Sequence, residues 1–152
     1  MGMIDVGDKP IVKREAEARG KIILRPETIE AIKRGEIKKG PPLVVAEIAA
    51  MNAAKQTHQL LPHCHQIPLD TVWASFEMGE DCVEVSCLVR ARAKTGVEME
   101  ALVGVSAALN TIWDMVKYME KDLDGQYPQT KISDVRVVRK YKEAVDNLQS
   151  GE

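Results

Sequence analysis

The longest stretch without a charged residue, from Ala101 to Trp113, is the feature that most constrains how this chain folds. It lies within residues 99–121, where the pattern predicts the longest helix. The first half of that helix is apolar or small all round and therefore needs neighbours on every side. One small sheet covers one helix face, so we expect a second subunit to cover the other. The stretch is too short to span a bilayer, which takes about 18 residues, and no membrane partner is expected.

A hairpin is predicted before this helix. Residues 72–78 and 83–91 alternate apolar and polar side chains on either side of a turn at residues 79–81. That period of two is typical of half-buried antiparallel strands. The remaining predicted elements are strands at 20–25 and 132–138, a short helix at 26–34, a longer helix at 43–61 and irregular chain at 1–16.

This order of strands and helices predicts an α+β fold. A ferredoxin-like plait fits it, with an antiparallel sheet and helices packed on one face; the short helix at 26–34 is an extra piece. No repeat or linker divides the chain. We therefore predict a single domain over residues 1–152, with a core at about 4–140 and a polar tail at 141–152.

The charge balance argues against two broad classes of protein. Lys and Arg number 21, Asp and Glu number 23, and the net charge is −2. A strongly basic nucleic-acid-binding domain and a highly charged disordered chain are thus excluded, and no nucleic-acid partner is expected. Three cysteines without CxxC spacing indicate a reducing compartment. Residues 1–8 lack the apolar run of a signal peptide, so a cytoplasmic location is expected.

Two histidines flank one cysteine in the segment Leu61–Gln66. Histidine transfers protons near neutral pH, which favours catalysis or substrate binding at His63 and His65. Together with His58 and Cys64, the same residues could instead bind zinc. A solvated loop is the third interpretation, and the spacing leaves all three open.

Acidic residues lie at both ends of the predicted long helix. In extended chain Glu98 and Glu100 would share one face, where repulsion raises one pKa and suits a general acid. In a helix they diverge and stabilise its N-terminus. Asp114, the first charge after the uncharged stretch, has Lys117 one turn further on. A partly buried pair would hold a proton donor and acceptor in place, whereas an exposed pair is an ordinary ion pair.

Basic residues concentrate in a few segments. They are Arg14, Lys38, Lys39, Arg136, Arg139, Lys140 and Lys142. Such groups bind phosphate oxygens or simply face solvent. Glu100 and Asp114 lie 14 residues apart, which is about 21 Å along a helix. One nucleotide-sized substrate reaches both only if a second subunit contributes one of them.

Short segments spread in order over residues 4–140 match one known family. They are Asp5-Val6, Arg14, Lys39-Gly40, Ala53 to Thr57, Leu61-Pro62, Cys64-His65, Lys94 to Leu102, Val105 to Leu109, Asp114-Met115, Lys117, Val135-Arg136 and Lys140. Through them the chain resembles the molybdenum cofactor biosynthesis protein C family, the cyclic pyranopterin monophosphate synthases. The TGVEMEAL block at residues 95–102 and the Cys-His segment are the specific pieces.

The resemblance implies a ferredoxin-like fold assembled as a hexamer, a trimer of dimers, with active sites between subunits. It implies a phosphorus–oxygen lyase that converts 3′,8-cyclo-7,8-dihydroguanosine 5′-triphosphate to cyclic pyranopterin monophosphate and pyrophosphate. A radical S-adenosylmethionine enzyme would supply the substrate. No cofactor is firmly implied, although magnesium is compatible with a triphosphate.

The resemblance also assigns site residues. The catalytic aspartate falls on Asp114. Family lysines that are important for catalysis fall on Lys39, Lys117 and Lys140. Substrate contacts fall on His63, Cys64, His65, Met99 and Glu100, and further active-site positions on Arg14 and Glu98. Acid–base chemistry suits Asp114, Lys117, His65, Glu98 and Glu100, whereas Lys39, Lys140 and Arg14 suit phosphate charge.

The chain departs from the family pattern in two places. His63 and Gln66 stand where many members have Leu and Pro. Residues 139–143 contain no glycine, whereas many members have a Lys-Ser-Gly-Gly-Lys-Ser-Gly loop, so a rigid or helical tail is expected. Two other functions stay open: a zinc- or copper-binding protein centred on His58, His63, Cys64 and His65, and a non-catalytic nucleotide-binding or assembly module.

Overall fold

Four strands form one antiparallel sheet in a computed structural model that describes residues 1–144. The strands are β1 (Val12–Ile23), β2 (Thr71–Met78), β3 (Cys82–Ala93) and β4 (Lys131–Lys142). Their spatial order is β2-β3-β1-β4. The helices are α1 (Pro26–Lys33), α2 (Pro42–Lys55), α3 (Thr57–Leu60) and α4 (Glu98–Glu120). The chain thus makes two split strand–helix–strand units, which is the ferredoxin-like plait predicted from the sequence.

The core lies between the sheet and the helices that cover one of its faces, as predicted. Inward side chains of the two central strands, such as Ile22 and Val85, are fully buried beneath α4. One stripe of α4 shares this core through Val105, Leu109 and Ile112. No helix of residues 1–144 is long and apolar enough to cross a membrane.

Strand β1 begins eight residues earlier than the sequence analysis predicts, because residues 12–19 are strand rather than irregular chain. The inward residues there are small, for example Ala16 and Ala18. Their size has a physical reason at Gly20, where an added Cβ would lie 2.9 Å from both Leu109 Cδ1 and Val135 Cγ2. At Gly20, therefore, the helix and the neighbouring strand leave no room for the large β-branched side chains that usually mark a strand.

Two other predicted boundaries are corrected. The predicted helix at 43–61 is interrupted, because Gln56 leaves the helical region and α3 is a separate short turn. The hydroxyl of buried Thr57 donates to the Ala54 carbonyl at 2.9 Å, which fixes this break. Strand β4 continues four residues past the predicted end at Val138, so the tail expected from residue 141 begins inside a strand. Residues 145–152 of that predicted tail lie outside the described residues.

Replacing Gly104 with valine should lower the free energy of unfolding by about 2–3 kcal/mol, because α2 and α4 meet tightly there. An added Cβ would lie 2.8 Å from Cys87 Sγ and 3.4 Å from the Ala50 carbonyl oxygen. Ala107→Val, at a half-buried position of the same helix, is the matched control and should cost much less. Urea unfolding of both variants measures the difference, and equal losses would contradict the close contact.

Candidate active site

A cavity of about 360 Å³ opens at the N-terminal end of α4. Three segments far apart in sequence form its walls: the N-terminal segment, the chain that follows α3, and the turn leading into α4. The lining residues are Gly2, Ile4, Val6, Lys9, His63, Cys64, His65, Ile67, Thr95, Gly96, Glu98, Met99 and Glu100. The structure thus brings together the Cys-His segment and the acidic segment, which the sequence analysis singled out separately.

Glu98 and Glu100 both lie in the first turn of α4, the helical alternative of the two considered. Glu100 is only 4% exposed. Burial raises the pKa of Glu100 to about 7; a backbone hydrogen bond partly offsets this, and the charge of Glu98 adds a smaller increase. One buried oxygen of each carboxyl group has no hydrogen-bond partner among the described residues. Glu100 can therefore hold or release a proton near neutral pH, which suits a general acid or base.

The Cys-His segment follows Pro62, which ends the helical region before it. Nε2 of His65 lies 2.7 Å from the carbonyl oxygen of Ile4. Burial, followed by the charges of Glu100 and Glu98, raises the pKa of Cys64, so the cysteine remains a thiol at neutral pH. His63 is exposed at the cavity wall. The segment therefore offers the cavity a thiol and two imidazole groups.

The N-terminal segment is the part of this cavity that pattern reasoning missed. Residues 1–11 make no helix or strand, yet Ile4, Val6 and Lys9 line the cavity. Two contacts hold the segment there: His65 with the Ile4 carbonyl at 2.7 Å, and the ammonium of Lys94 donating to the Gly7 carbonyl at 3.0 Å. Only the match of Asp5-Val6 to the family pattern pointed to this segment.

Arg14 and Lys140 line a smaller cavity of about 150 Å³ beside Gly96. Lys140 Nζ lies 3.3 Å from Glu98 Oε1, and Arg14 donates to the Lys94 carbonyl at 3.3 Å. Glu98 therefore connects the basic cavity to the acidic one. Lys142, which pairs with Arg14 across the sheet, adds a third cation to this wall.

Asp114, Lys117 and Lys39 form a separate group near the C-terminal end of α4. Asp114 Oδ1 lies 3.1 Å from Lys117 Nζ and 3.8 Å from Lys39 Nζ. Lys39 also donates to the backbone carbonyl of Asp114 at 2.7 Å. These lysines, Lys117 first, hold the pKa of Asp114 below its usual value. The side chain is 65% exposed, so in one chain the pair faces solvent, which is the exposed one of the two alternatives considered.

The two groups lie at opposite ends of one helix. Asp114 and Lys117 line an open cavity of about 340 Å³ with Asn110 and Trp113, and none of the Cys-His segment reaches it. The rise of an α-helix separates the backbones of Glu100 and Asp114 by about 21 Å. A single chain therefore gathers the predicted site residues into two places, as the sequence spacing indicates.

The metal-binding alternative gains no support from this geometry. Within residues 1–144, no three side chains of His, Cys, Asp and Glu are grouped so that they could hold a metal ion. His58, His63, Cys64 and His65 therefore do not form the common centre that a zinc or copper site requires.

Known proteins match the chain over nearly its whole length. The sequence model of the MoaC family matches residues 3–143. A protein of Thermococcus kodakarensis named "Probable cyclic pyranopterin monophosphate synthase" is 58% identical over 140 residues, which cover 92% of this chain and 90% of the relative. A protein of the same name from Pyrococcus abyssi is 58% identical over 140 residues, covering 92% and 88%.

A third relative carries a different description. The protein of Methanothermobacter thermautotrophicus named "Probable cyclic pyranopterin monophosphate synthase accessory protein" is 52% identical over 140 residues, covering 92% of this chain and 88% of its own length. Both groups of ionisable side chains fall within the matched residues 3–143. The chain therefore belongs to the MoaC family, as the resemblance of its short segments indicates.

Proposed function

We propose that this protein is a cyclic pyranopterin monophosphate synthase of molybdenum cofactor biosynthesis. Its substrate is 3′,8-cyclo-7,8-dihydroguanosine 5′-triphosphate, and its products are cyclic pyranopterin monophosphate and pyrophosphate. One observation carries the proposal: proteins named for this synthase activity match 92% of the chain at 58% identity. The reaction class is that of a cyclising phosphorus–oxygen lyase.

Formation of the cyclic phosphate requires cations. A hydroxyl oxygen of the substrate bonds to the α-phosphorus and gives its proton to a base of the site, while the bond from the α-phosphorus to the bridging oxygen breaks and pyrophosphate leaves with that electron pair. Ammonium and guanidinium groups stabilise the charge that develops on the leaving oxygens. We assign this role to Lys39, Arg14 and Lys140. Lys39 lies beside Asp114, and Arg14 and Lys140 line the smaller cavity near Gly96.

Rearrangement of the guanine-derived rings requires repeated proton transfers. Glu100, with its pKa raised to about 7, can both donate and accept near neutral pH. Asp114 has a lowered pKa and stays ionised beside Lys117, so the pair presents an acceptor next to a donor. His65 and Glu98 complete the acid–base set, while His63, Cys64 and Met99 contact the substrate.

We further propose that the active site is completed by a second copy of the chain within a hexamer, a trimer of dimers. The separation of the two groups along α4 supports this, since one small substrate cannot touch both in a single chain. Exposed apolar residues on α2 also support it: Val44, Val45 and Ile48 are each at least one-third exposed. Burying such a surface between subunits would be favourable.

The remaining proposals concern the supply of the substrate and the location of the reaction. A radical S-adenosylmethionine enzyme acts upstream and makes the carbon–carbon bond of the cyclised nucleotide. The reaction takes place in the cytoplasm. No resident cofactor is assigned, and magnesium bound to the triphosphate is compatible with the basic groups of the site.

Purified protein supplied with the cyclised guanosine triphosphate should release pyrophosphate and cyclic pyranopterin in equal amounts. Pyrophosphate is followed by an enzyme-coupled assay, and the pterin by fluorescence after oxidation. Protein carrying Asp114→Asn is the control for contaminating activity and should release neither product. If the wild-type protein binds the nucleotide and forms no product, the chain is a binding or accessory module instead.

A further inference from the structure

The loop that carries Lys39 lacks the support of a helix or strand. It joins α1 to α2 over residues 34–41. Gly35 and Gly40, on either side of Lys39, have φ values of 69° and 109°. Glycine reaches this left-handed region without strain, and the Gly40 N–H donates to the Ile37 carbonyl at 3.1 Å, which closes a turn around Lys38 and Lys39. Ile37 is buried and anchors the first half of the loop, so the position of Lys39 depends on what holds the second half.

Tyr118 contacts the second half of this loop twice. The backbone N–H of Lys38 donates to the hydroxyl oxygen of Tyr118 at 2.8 Å. The ammonium group of Lys38 lies 5.4 Å from the centre of the Tyr118 ring, in the range of a cation–π contact. The peptide group between Ile37 and Lys38, one residue before Lys39, is thereby tied to α4.

Tyr118 follows Asp114 by four residues, so both project from one face of α4. Lys39 reaches the same face, with its ammonium group 2.7 Å from the Asp114 carbonyl oxygen and 3.8 Å from Oδ1. One helical turn therefore carries both Asp114 and Tyr118. The first contacts the Lys39 ammonium group, and the second holds the backbone N–H of the residue before it. A movement of the loop away from Tyr118 would carry Lys39 away from Asp114.

We infer that Tyr118 is a positioning residue of the active site: its hydroxyl fixes the peptide of Lys38 and so places the Lys39 ammonium beside Asp114. This rests on the proposed function in so far as Lys39 acts on the substrate. Tyr118 itself is not needed to touch the substrate. Tyr118 is 37% exposed on a helix, so its position alone does not indicate this role.

Tyr118→Phe removes the hydroxyl and keeps the ring, so the fold and the cation–π contact are retained. We expect kcat to fall about 10-fold, because a displacement of the Lys39 ammonium group by about 1 Å slows the chemical step more than it weakens binding. KM should change less than about 2-fold. In a protein that already carries Lys39→Ala, adding Tyr118→Phe should cause no further loss. Multiplied losses in the double variant, or an unchanged kcat in the single one, would overturn the inference.

A second measurement separates this inference from the proposed function. Hydrogen exchange of the Lys38 amide, followed by NMR, should be at least about 5-fold faster in Tyr118→Phe, since its acceptor is gone. Tyr127→Phe is the matched control, because within residues 1–144 the Tyr127 hydroxyl makes no hydrogen bond to the loop, and its exchange should equal that of the wild type. If the wild-type protein makes no product, the proposed function fails, and the exchange rate alone decides whether Tyr118 holds the loop.

Discussion

Replacing Lys39 with alanine should lower the rate of pyrophosphate release by about 10²- to 10³-fold. In the proposed reaction its ammonium group stabilises charge that develops only as the leaving group departs, and such donors contribute by this factor. Loss of the lysine also removes one of the two cations that hold down the pKa of Asp114. The measurement is the steady-state rate at saturating cyclised nucleotide.

The chain offers a matched control for this variant. Lys33 lies 3.8 Å from Glu30 and its side chain is 42% exposed, whereas Lys39 lies 3.8 Å from Asp114 and is 41% exposed. Lys33→Ala should leave the rate unchanged, since exposed ion pairs contribute little to stability and this one faces no cavity of the site. Equal rates for the two variants would remove Lys39 from the mechanism.

Glu100→Gln should separate stability from activity, lowering turnover by about 10²-fold or more while making the folded protein more stable above neutral pH. Glutamine keeps the shape of the side chain and loses the transferable proton, which accounts for the lost rate. The gain in stability follows from burial, which raises the pKa of Glu100 from 4.5 to about 7. That difference corresponds to at most about 3 kcal/mol in favour of the variant at pH 8.

The pH dependence of this effect has a definite sign. Between pH 4.5 and about 7 the unfolded chain ionises the Glu100 carboxyl while the folded chain keeps its proton. The unfolded state then binds fewer protons, so wild-type stability falls as the pH rises through this window and is level above it. Urea unfolding of Glu100→Gln across the window should lack this fall. The control Glu47→Gln, at an exposed position of α2, should still show the fall in stability. If Glu100→Gln shows the same fall, the Glu100 carboxyl of the wild type ionises freely and the expectation is wrong.

Side-chain periodicity was sufficient to predict the hairpin and the long helix, because large apolar residues there repeat at the period of each element. Strand β1 was shortened in the prediction although residues 12–22 also alternate. Its inward positions include Ala16, Ala18 and Gly20, and at Gly20 Leu109 leaves no room for a side chain. A pattern based on large apolar residues misses a strand whose side chains are limited by the helix above them.

The candidate site was predictable residue by residue but not as a geometry. The family pattern marked Lys39 and Asp114 separately, yet their contact joins positions 75 residues apart in the chain. Likewise no periodic signal relates Ile4 to His65, whose hydrogen bond is set by the path of the N-terminal segment over the cavity. The predictions of one domain over residues 1–152 and of the residue roles stay predictions.

The extension of β4 through Lys142 has a consequence for the proposed binding of a polyphosphate substrate at Lys140. Backbone hydrogen bonds to β1 hold the strand around Lys140, so its cation is presented on a stiff ribbon instead of a glycine-rich flap. The conformational entropy of that segment is lost when the chain folds and not when a polyphosphate binds. Capture of the anion therefore requires no coil-to-ordered transition at this edge, and encounter should proceed close to rigid-body docking.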